Sequence, residues 1–178
     1  MQTIQPINPA EAGNKARRLL LTAKAELGLT TNLIKTMAHA TSALDAYLQL
    51  QRARASSVLP EVFRVQVALA VAQAQQCDYA LAEHTSLARQ LGISEEEILE
   101  SRQARSRDSK TAAALRFVRS LVQQRETHVP DLHEYGYSDS DIIDLIAEVS
   151  MNVFANYVAI VAKTEVDFPR VERNMSAA

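Results

Sequence analysis

Apolar residues recur at intervals of three and four positions through most of the chain, which is the period of an amphipathic α-helix. In the first third, this pattern predicts helices over residues 9–27, 30–39 and 41–54. Pro9 suits a first helical turn and Gly28 suits a helix end, so the first of these helices has a signal at each terminus.

The remaining two thirds of the chain continue the helical pattern. The predicted helices cover residues 60–76, 78–91, 94–103, 111–125 and 139–163. The stretch 62–71 is apolar on nearly every side, and its alanine content favours a central buried helix over a buried strand. Residues 128–137 are predicted to be a loop or a short helix, and Pro169 cannot continue the last helix.

The composition agrees with this pattern. Hydrophobic residues make up 47% and charged residues 22%, an ordinary globular balance that excludes a disordered chain. Four glycines and five prolines are too few for the many turns of a β-sandwich or barrel. The sequence therefore predicts one all-α domain, residues 1–178, with seven or eight helices.

Charge and cysteine content narrow the function classes. The formal charge of −2 provides no basic surplus for nucleic-acid binding. No apolar run approaches the roughly 20 residues that cross a bilayer, and the N-terminus has no secretory signal. One cysteine forms neither an internal disulfide nor a thiolate zinc cage, so a cytoplasmic protein without a cofactor is expected. Arg102, Arg105 and Arg107 are expected in a solvated connection.

The candidate chemistry lies in QQCDYALAEHTSLARQLG, residues 75–92. Cys77 precedes a predicted helix, whose N-terminal N–H groups favour a thiolate. His84 lies two turns further along the same face, so a thiol with a nearby proton carrier is one interpretation. The alternative is a small core cysteine and a locally bonded histidine, which the frequent burial of cysteine and the neighbouring Asp78 favour.

Three other histidines carry weaker signals. His39 lies in MAHATSALDAY and either reaches the site across a subunit contact or has a structural role. His128 and His133 flank Pro130 in a predicted loop. Together with His84 they could be metal ligands, but no histidine or carboxylate pair at i, i+4 supports that, so no metal site is predicted.

Four stretches of the chain carry a family signature. They are LIKTMAHATSALDAYLQL (33–50), VFRVQVALAVAQAQQCDYALAEHTSLARQLGISEEEI (62–98), KTAAALRFVRSLV (110–122) and YSDSDIIDLIAEVSMNVFANYVAIVAKTEVDFP (137–169). In order and spacing they resemble the AhpD-like, or carboxymuconolactone decarboxylase, family of all-helical proteins, in its alkylhydroperoxidase-core, peroxidase-related branch. The resemblance implies a core over 33–122 and a long C-terminal helix with a family-typical end over 137–169.

The resemblance also implies a site. Redox members of the family have a glutamate, then C-x-x-C about a dozen residues later, then a histidine after three more. By position, Cys77 is the first cysteine and His84 is the histidine, but the second cysteine falls on Ala80 and the glutamate on Val65. Gln73 stands at a second position that is commonly acidic.

The C-terminal end departs from the branch as well. Asn156 and Tyr157 match it, but Ala159 and Ile160 replace its usual Asn-His pair. The scaffold pattern is thus kept while the usual polar groups of the site are replaced.

The resemblance implies a thiol-dependent peroxidase-type redox protein with Cys77 and His84 as catalytic residues, a hydroperoxide substrate and an external thiol reductant. A non-catalytic binding or assembly protein is an alternative, as is a decarboxylase-branch enzyme acting on a small lactone acid. The wide apolar surface of the helix over 139–163 predicts a homo-oligomer, and the resemblance implies a trimer or hexamer.

Overall fold

The computed structural model describes residues 2–123 and 130–173, and in that part of the chain every regular element is a helix. Eight α-helices follow one another in these residues: α1 (Asn14–Leu27), α2 (Asn32–Met37), α3 (Thr41–Ala53), α4 (Glu61–Ala74), α5 (Asp78–Gln90), α6 (Glu95–Arg102), α7 (Ser109–Gln123) and α8 (Asp139–Ala162). Short 3₁₀ turns cover Arg54–Ser56 and Leu132–Tyr135. The all-α prediction is confirmed.

Helix α4 is the centre of the fold. It packs against α5, α6, α7 and α8, and nine of its residues are buried. A helix contacted from several directions needs apolar residues around its whole circumference, as the sequence of 62–71 predicted. Separate apolar clusters lie on different sides of α4, one towards α7 and α8 and another towards α6.

Most helix ends agree with their sequence signals. Ser94 and Ser138 form capping boxes with Glu97 and Asp141, and each box uses the serine hydroxyl and the carboxylate reciprocally. The start of α1 is an exception, because the helix begins at Asn14 rather than at Pro9. The Asn8 side chain accepts a hydrogen bond from the backbone N–H of residue 10 at 3.1 Å, which stabilises a turn there instead.

Helix α8 corrects one expectation. Among the described helices, α8 is long and apolar enough to cross a membrane. This differs from the sequence prediction that no apolar run is long enough. Half of its apolar stretch is buried inside the fold, and core helices of globular proteins can be equally long and apolar. Three buried polar residues, Glu148, Asn152 and Asn156, lie four positions apart along its inner face.

Candidate functional site

Cys77 lies at the junction between α4 and α5. Gln76 adopts a left-handed backbone conformation with φ of 54°, which ends α4 and turns the chain. The Cys77 N–H then donates to the Ala72 carbonyl at 3.0 Å, and the Cys77 carbonyl accepts the first α5 hydrogen bond, from the N–H of Leu81, at 2.9 Å. Cys77 is therefore the N-cap residue of α5, as its position before the predicted helix suggested.

Burial dominates the chemistry of the Cys77 thiol. The residue is only 2% exposed, and its sulfur lies 3.9 Å from the backbone oxygen of Asn156 on α8. Burial raises the pKa of the thiol, while the backbone N–H groups of Ala80 and Tyr79 act in the opposite direction, and Asp78 adds to the rise. The helix N-terminus thus favours a thiolate, as expected, but burial outweighs it.

His84 shares the α5 face with Cys77 but is not in contact with its sulfur. The two residues are seven positions apart, which is about 10 Å along the helix axis, and buried Ala80 lies between them. The position that holds the second cysteine in redox members is therefore the one that would bridge thiol and imidazole. An alanine methyl there carries neither a sulfur nor a proton.

The His84 ring is held neutral. Burial lowers its pKa to about 4, the Arg54 guanidinium adds to the effect, and the Asn152 side chain opposes both as a hydrogen-bond partner. The ring atom Nδ1 is buried and has no hydrogen-bond partner in the described residues. At neutral pH the His84 ring is an uncharged and weak base, so it has no imidazolium proton to donate.

A chain of hydrogen bonds connects the surroundings of His84 to α3. The Asn152 amide donates to the Glu148 carboxylate at 3.1 Å, and Arg54 Nε donates to the other oxygen of that carboxylate at 2.8 Å. Arg54 also donates to the Gln51 side-chain oxygen at 3.2 Å, and the Gln51 amide donates to the Tyr47 hydroxyl at 2.7 Å. Helices α3, α5 and α8 thus enclose a polar cluster.

Glu83 is the ionisable residue of this region that sequence reasoning missed. Burial raises the pKa of its carboxyl to about 7, Asp167 acts in the same direction, and Arg54 opposes them. A carboxyl that titrates near neutral pH can exchange protons under physiological conditions. The only local sign was an acidic residue beside His84 in the predicted helix 78–91, which does not distinguish it from a solvated glutamate.

A groove of about 900 Å³ opens beside Cys77. Its apolar wall includes Ala82, Ala159 and Ile160. Its charged residues are the cations Lys163, Arg170 and Arg173 and the carboxylates Asp78 and Glu165. Ala159 and Ile160, where the branch usually has polar residues, therefore line the groove as predicted site positions. The structure thus brings Cys77 to a space that can hold a small molecule.

Val65 and Gln73 contact different parts of the fold. Val65 is 1% exposed and packs in the apolar cluster with Ala88 and Ile98, on the α6 side of α4. Gln73 instead bonds to Arg102, which is buried rather than solvated, contrary to the expectation for that segment. The buried guanidinium binds the backbone oxygens of Glu172 and Arg173, a long-range contact that has no local sequence signal.

His39 and His133 each bind a backbone oxygen. His39 Nε2 lies 2.8 Å from the Gln5 carbonyl, and His133 Nδ1 lies 3.0 Å from the Tyr137 carbonyl. His128 lies outside the described residues. Within residues 2–123 and 130–173, no group of three or more histidine, cysteine or acidic side chains could hold a metal ion.

The sequence of the chain's core matches a family model. The model of the carboxymuconolactone decarboxylase family matches residues 38–123, and the family resemblance predicted from the sequence is confirmed. No curated protein sequence matches the chain.

Several solved structures share the fold. A debrominase Bmp8 variant, with cysteine replaced by alanine and in complex with 2,3,4-tribromopyrrole, has a TM-score of 0.77 and 15% identity, covering 94% of this chain and 92% of its own. An alkylhydroperoxidase AhpD core, peroxidase-related protein from Ralstonia eutropha JMP134 has a TM-score of 0.76 and 18% identity, covering 94% of both chains.

A peroxidase-related protein from Silicibacter sp. TM1040 has a TM-score of 0.75 and 18% identity, covering 92% of both chains. At these identities the likeness establishes an AhpD-like helical fold and leaves the reaction of this chain open.

Proposed function

We propose that the chain is an AhpD-like thiol redox protein in which Cys77 reduces a hydroperoxide bound in the adjacent groove and an external thiol completes the cycle. The observation that carries the proposal is the position of the only cysteine, at the start of α5 and in the wall of a groove of about 900 Å³. The peroxidase-related proteins of the same fold support it, as does the small organic molecule in the debrominase complex.

The proposed cycle balances without a second cysteine. The Cys77 thiolate attacks one oxygen of the hydroperoxide, the O–O bond breaks, and an alcohol leaves after taking up a proton, so that a sulfenic acid remains on Cys77. An external thiol then forms a mixed disulfide with Cys77 and releases water. A second external thiol regenerates the Cys77 thiol and leaves as a disulfide.

The surroundings of Cys77 predict a slow reaction. Burial raises the pKa of the thiol, which lowers the thiolate fraction, and Val65 supplies no proton carrier. General acid–base assistance is typically worth about 10²–10⁴ in rate, so we expect turnover to be marginal. A cytoplasmic location belongs to the proposal, since regeneration by external thiols requires a reducing compartment.

Hydroperoxide consumption with a small dithiol reductant tests the proposal. We expect weak turnover from the wild type, none from Cys77→Ser, and more from Ala80→Cys, which restores a resolving thiol one helical turn from Cys77. Turnover that survives Cys77→Ser would place the chemistry elsewhere and refute the proposal.

A non-catalytic binding protein is the second candidate, and the near-complete burial of Cys77 favours it. Alkylation of the native protein at pH 6 and pH 8 separates the two. Labelling of the native protein supports the redox proposal, whereas labelling only after denaturation supports a structural cysteine and the binding protein.

Self-association is part of the same proposal. Ile143, Tyr157 and Val161 on α8 are each more than half exposed, so one helix presents large apolar side chains to solvent. We propose that a second copy covers them, in a trimer or a hexamer. Sedimentation at micromolar concentration should show a species larger than the 19.7 kDa chain, and a single species of that mass would refute the association.

A further inference from the structure

The end of the described chain folds back over the start of α5. Asp167 accepts hydrogen bonds from the Tyr79 hydroxyl at 2.8 Å and from the Asn32 backbone N–H at 2.9 Å. Phe168 packs edge-on against the Tyr79 ring, with 6.0 Å between the ring centroids. Beyond this anchor, residues 170–173 run along the groove beside Cys77, and we call them the C-terminal strap.

A buried arginine holds the far end of the strap. Arg102 is 5% exposed, and its guanidinium donates to the backbone oxygens of Glu172 at 2.7 Å and Arg173 at 3.3 Å. Its Nε donates to the Gln73 side-chain oxygen at 2.9 Å, and the Gln73 amide donates to the Arg173 carbonyl at 3.2 Å. Without the strap, a buried cation would lose two of its oxygen partners, which favours the closed position.

A second contact ties the strap to Asp78, the first residue of α5. The Arg173 guanidinium binds the Asp78 carboxylate through two hydrogen bonds, at 2.7 and 2.5 Å. Both side chains are partly exposed, so this ion pair is worth little by itself. The pair matters because Arg173 and Asp78 line the groove together with Cys77, so the contact ties the strap to the part of the groove wall that holds the thiol.

We propose that the C-terminal strap is a size filter, which admits small molecules to Cys77 and excludes protein thiols, so that the external reductant is a low-molecular-weight thiol. This inference rests on the proposed function for the role of the reductant. A mixed disulfide requires the incoming sulfur to approach Cys77 closely. The groove has room for a small thiol, whereas a folded protein would have to displace the strap.

Two maleimides with the same reactive group test the filter. N-ethylmaleimide is small, and a maleimide on a long polyethylene glycol chain has the bulk of a protein. We expect the native protein to react with the small reagent at least about tenfold faster than with the large one, after each rate is divided by that of the denatured protein. A stop codon after Pro169 removes the strap and should bring the two normalised rates together.

A second variant protects the test against a failure of the truncated chain to fold. Arg173→Gln loses the contact with Asp78 but leaves the Arg102 contacts to the backbone, and we expect an intermediate gain for the large reagent. Arg89→Gln is the matched control, since Arg89 makes the same two-bond contact with Glu95 near the opposite end of α5. The control should leave both rates unchanged.

Equal normalised rates for the two reagents in the wild type would overturn the size filter, as would a strap variant that labels like the wild type. Turnover is measured separately, with a small dithiol and with a reduced thioredoxin-type protein as alternative reductants. If no variant turns over, the proposed function fails while the labelling result stands. If only the strap variants accept the protein reductant, both proposals are supported.

Discussion

Glu83 and His84 should give the protein two opposite pH dependences of stability that offset each other. Burial raises the pKa of Glu83 to about 7 and lowers the pKa of His84 to about 4, from ordinary values of 4.5 and 6.5. Each difference corresponds to about 3 kcal/mol in the free energy of unfolding. The folded protein thus prefers the neutral form of both side chains.

The signs of the two contributions are opposite. The contribution of Glu83 to the free energy of unfolding is fully present below pH 4.5 and is lost as the pH rises to about 7, because the folded state resists deprotonation of its carboxyl. The contribution of His84 is present above pH 6.5 and is lost as the pH falls to about 4, because the folded state resists protonation. Between pH 5 and 7, each changes by about 2 kcal/mol, and the changes cancel in the wild type.

Single substitutions should separate the two effects. The free energy of unfolding of Glu83→Gln, minus that of the wild type, should rise by about 2 kcal/mol from pH 5 to pH 7. The same difference for His84→Gln should rise by about 2 kcal/mol as the pH falls from 7 to 5. The lost shape of each side chain adds an offset that does not depend on pH.

Urea unfolding at pH 5, 6, 7 and 8 measures these differences, at one protein concentration because self-association would change the apparent stability. Glu134→Gln is the control, since Glu134 is exposed and its substitution should leave a flat difference. Differences that are flat with pH for both Glu83→Gln and His84→Gln would refute the reasoning from burial.

Three further substitutions test the packing. Glu148→Ala should lower the free energy of unfolding in urea by about 3 kcal/mol, because it leaves the Arg54 guanidinium without the Glu148 carboxylate. The double variant Glu148→Leu, Arg54→Met should recover part of this loss. Val65→Glu should lower the thermal midpoint severely or prevent folding, whereas Val65→Ile should be mild, because the site is apolar and closed. Ser138→Ala should cost about 1 kcal/mol through the loss of the α8 cap, and no change in the urea midpoint would contradict that role.

The sequence by itself determined much of the helical framework, because its signals are local. Apolar periodicity, the two capping boxes and the Gly28 helix end each act within a few residues of chain, and the structure agrees with them. The position of Cys77 before α5 was predictable for the same reason. Pro9 was the local signal that failed, since a turn around Asn8 competes with the helix there.

The candidate site depended on contacts between residues far apart in the chain. Helix spacing placed Cys77 and His84 on one face, but only the packing of α8 and α3 decided that Cys77 is buried, that the His84 ring is desolvated, and that Asn152 and Arg54 act on its pKa. Glu83 and Arg102 had no distinguishing local pattern, because a pKa near 7 and a buried guanidinium arise from neighbours that tertiary structure supplies. Protonation and access at Cys77 are therefore properties of the fold, since desolvation depends on what covers a group rather than on its position in the sequence.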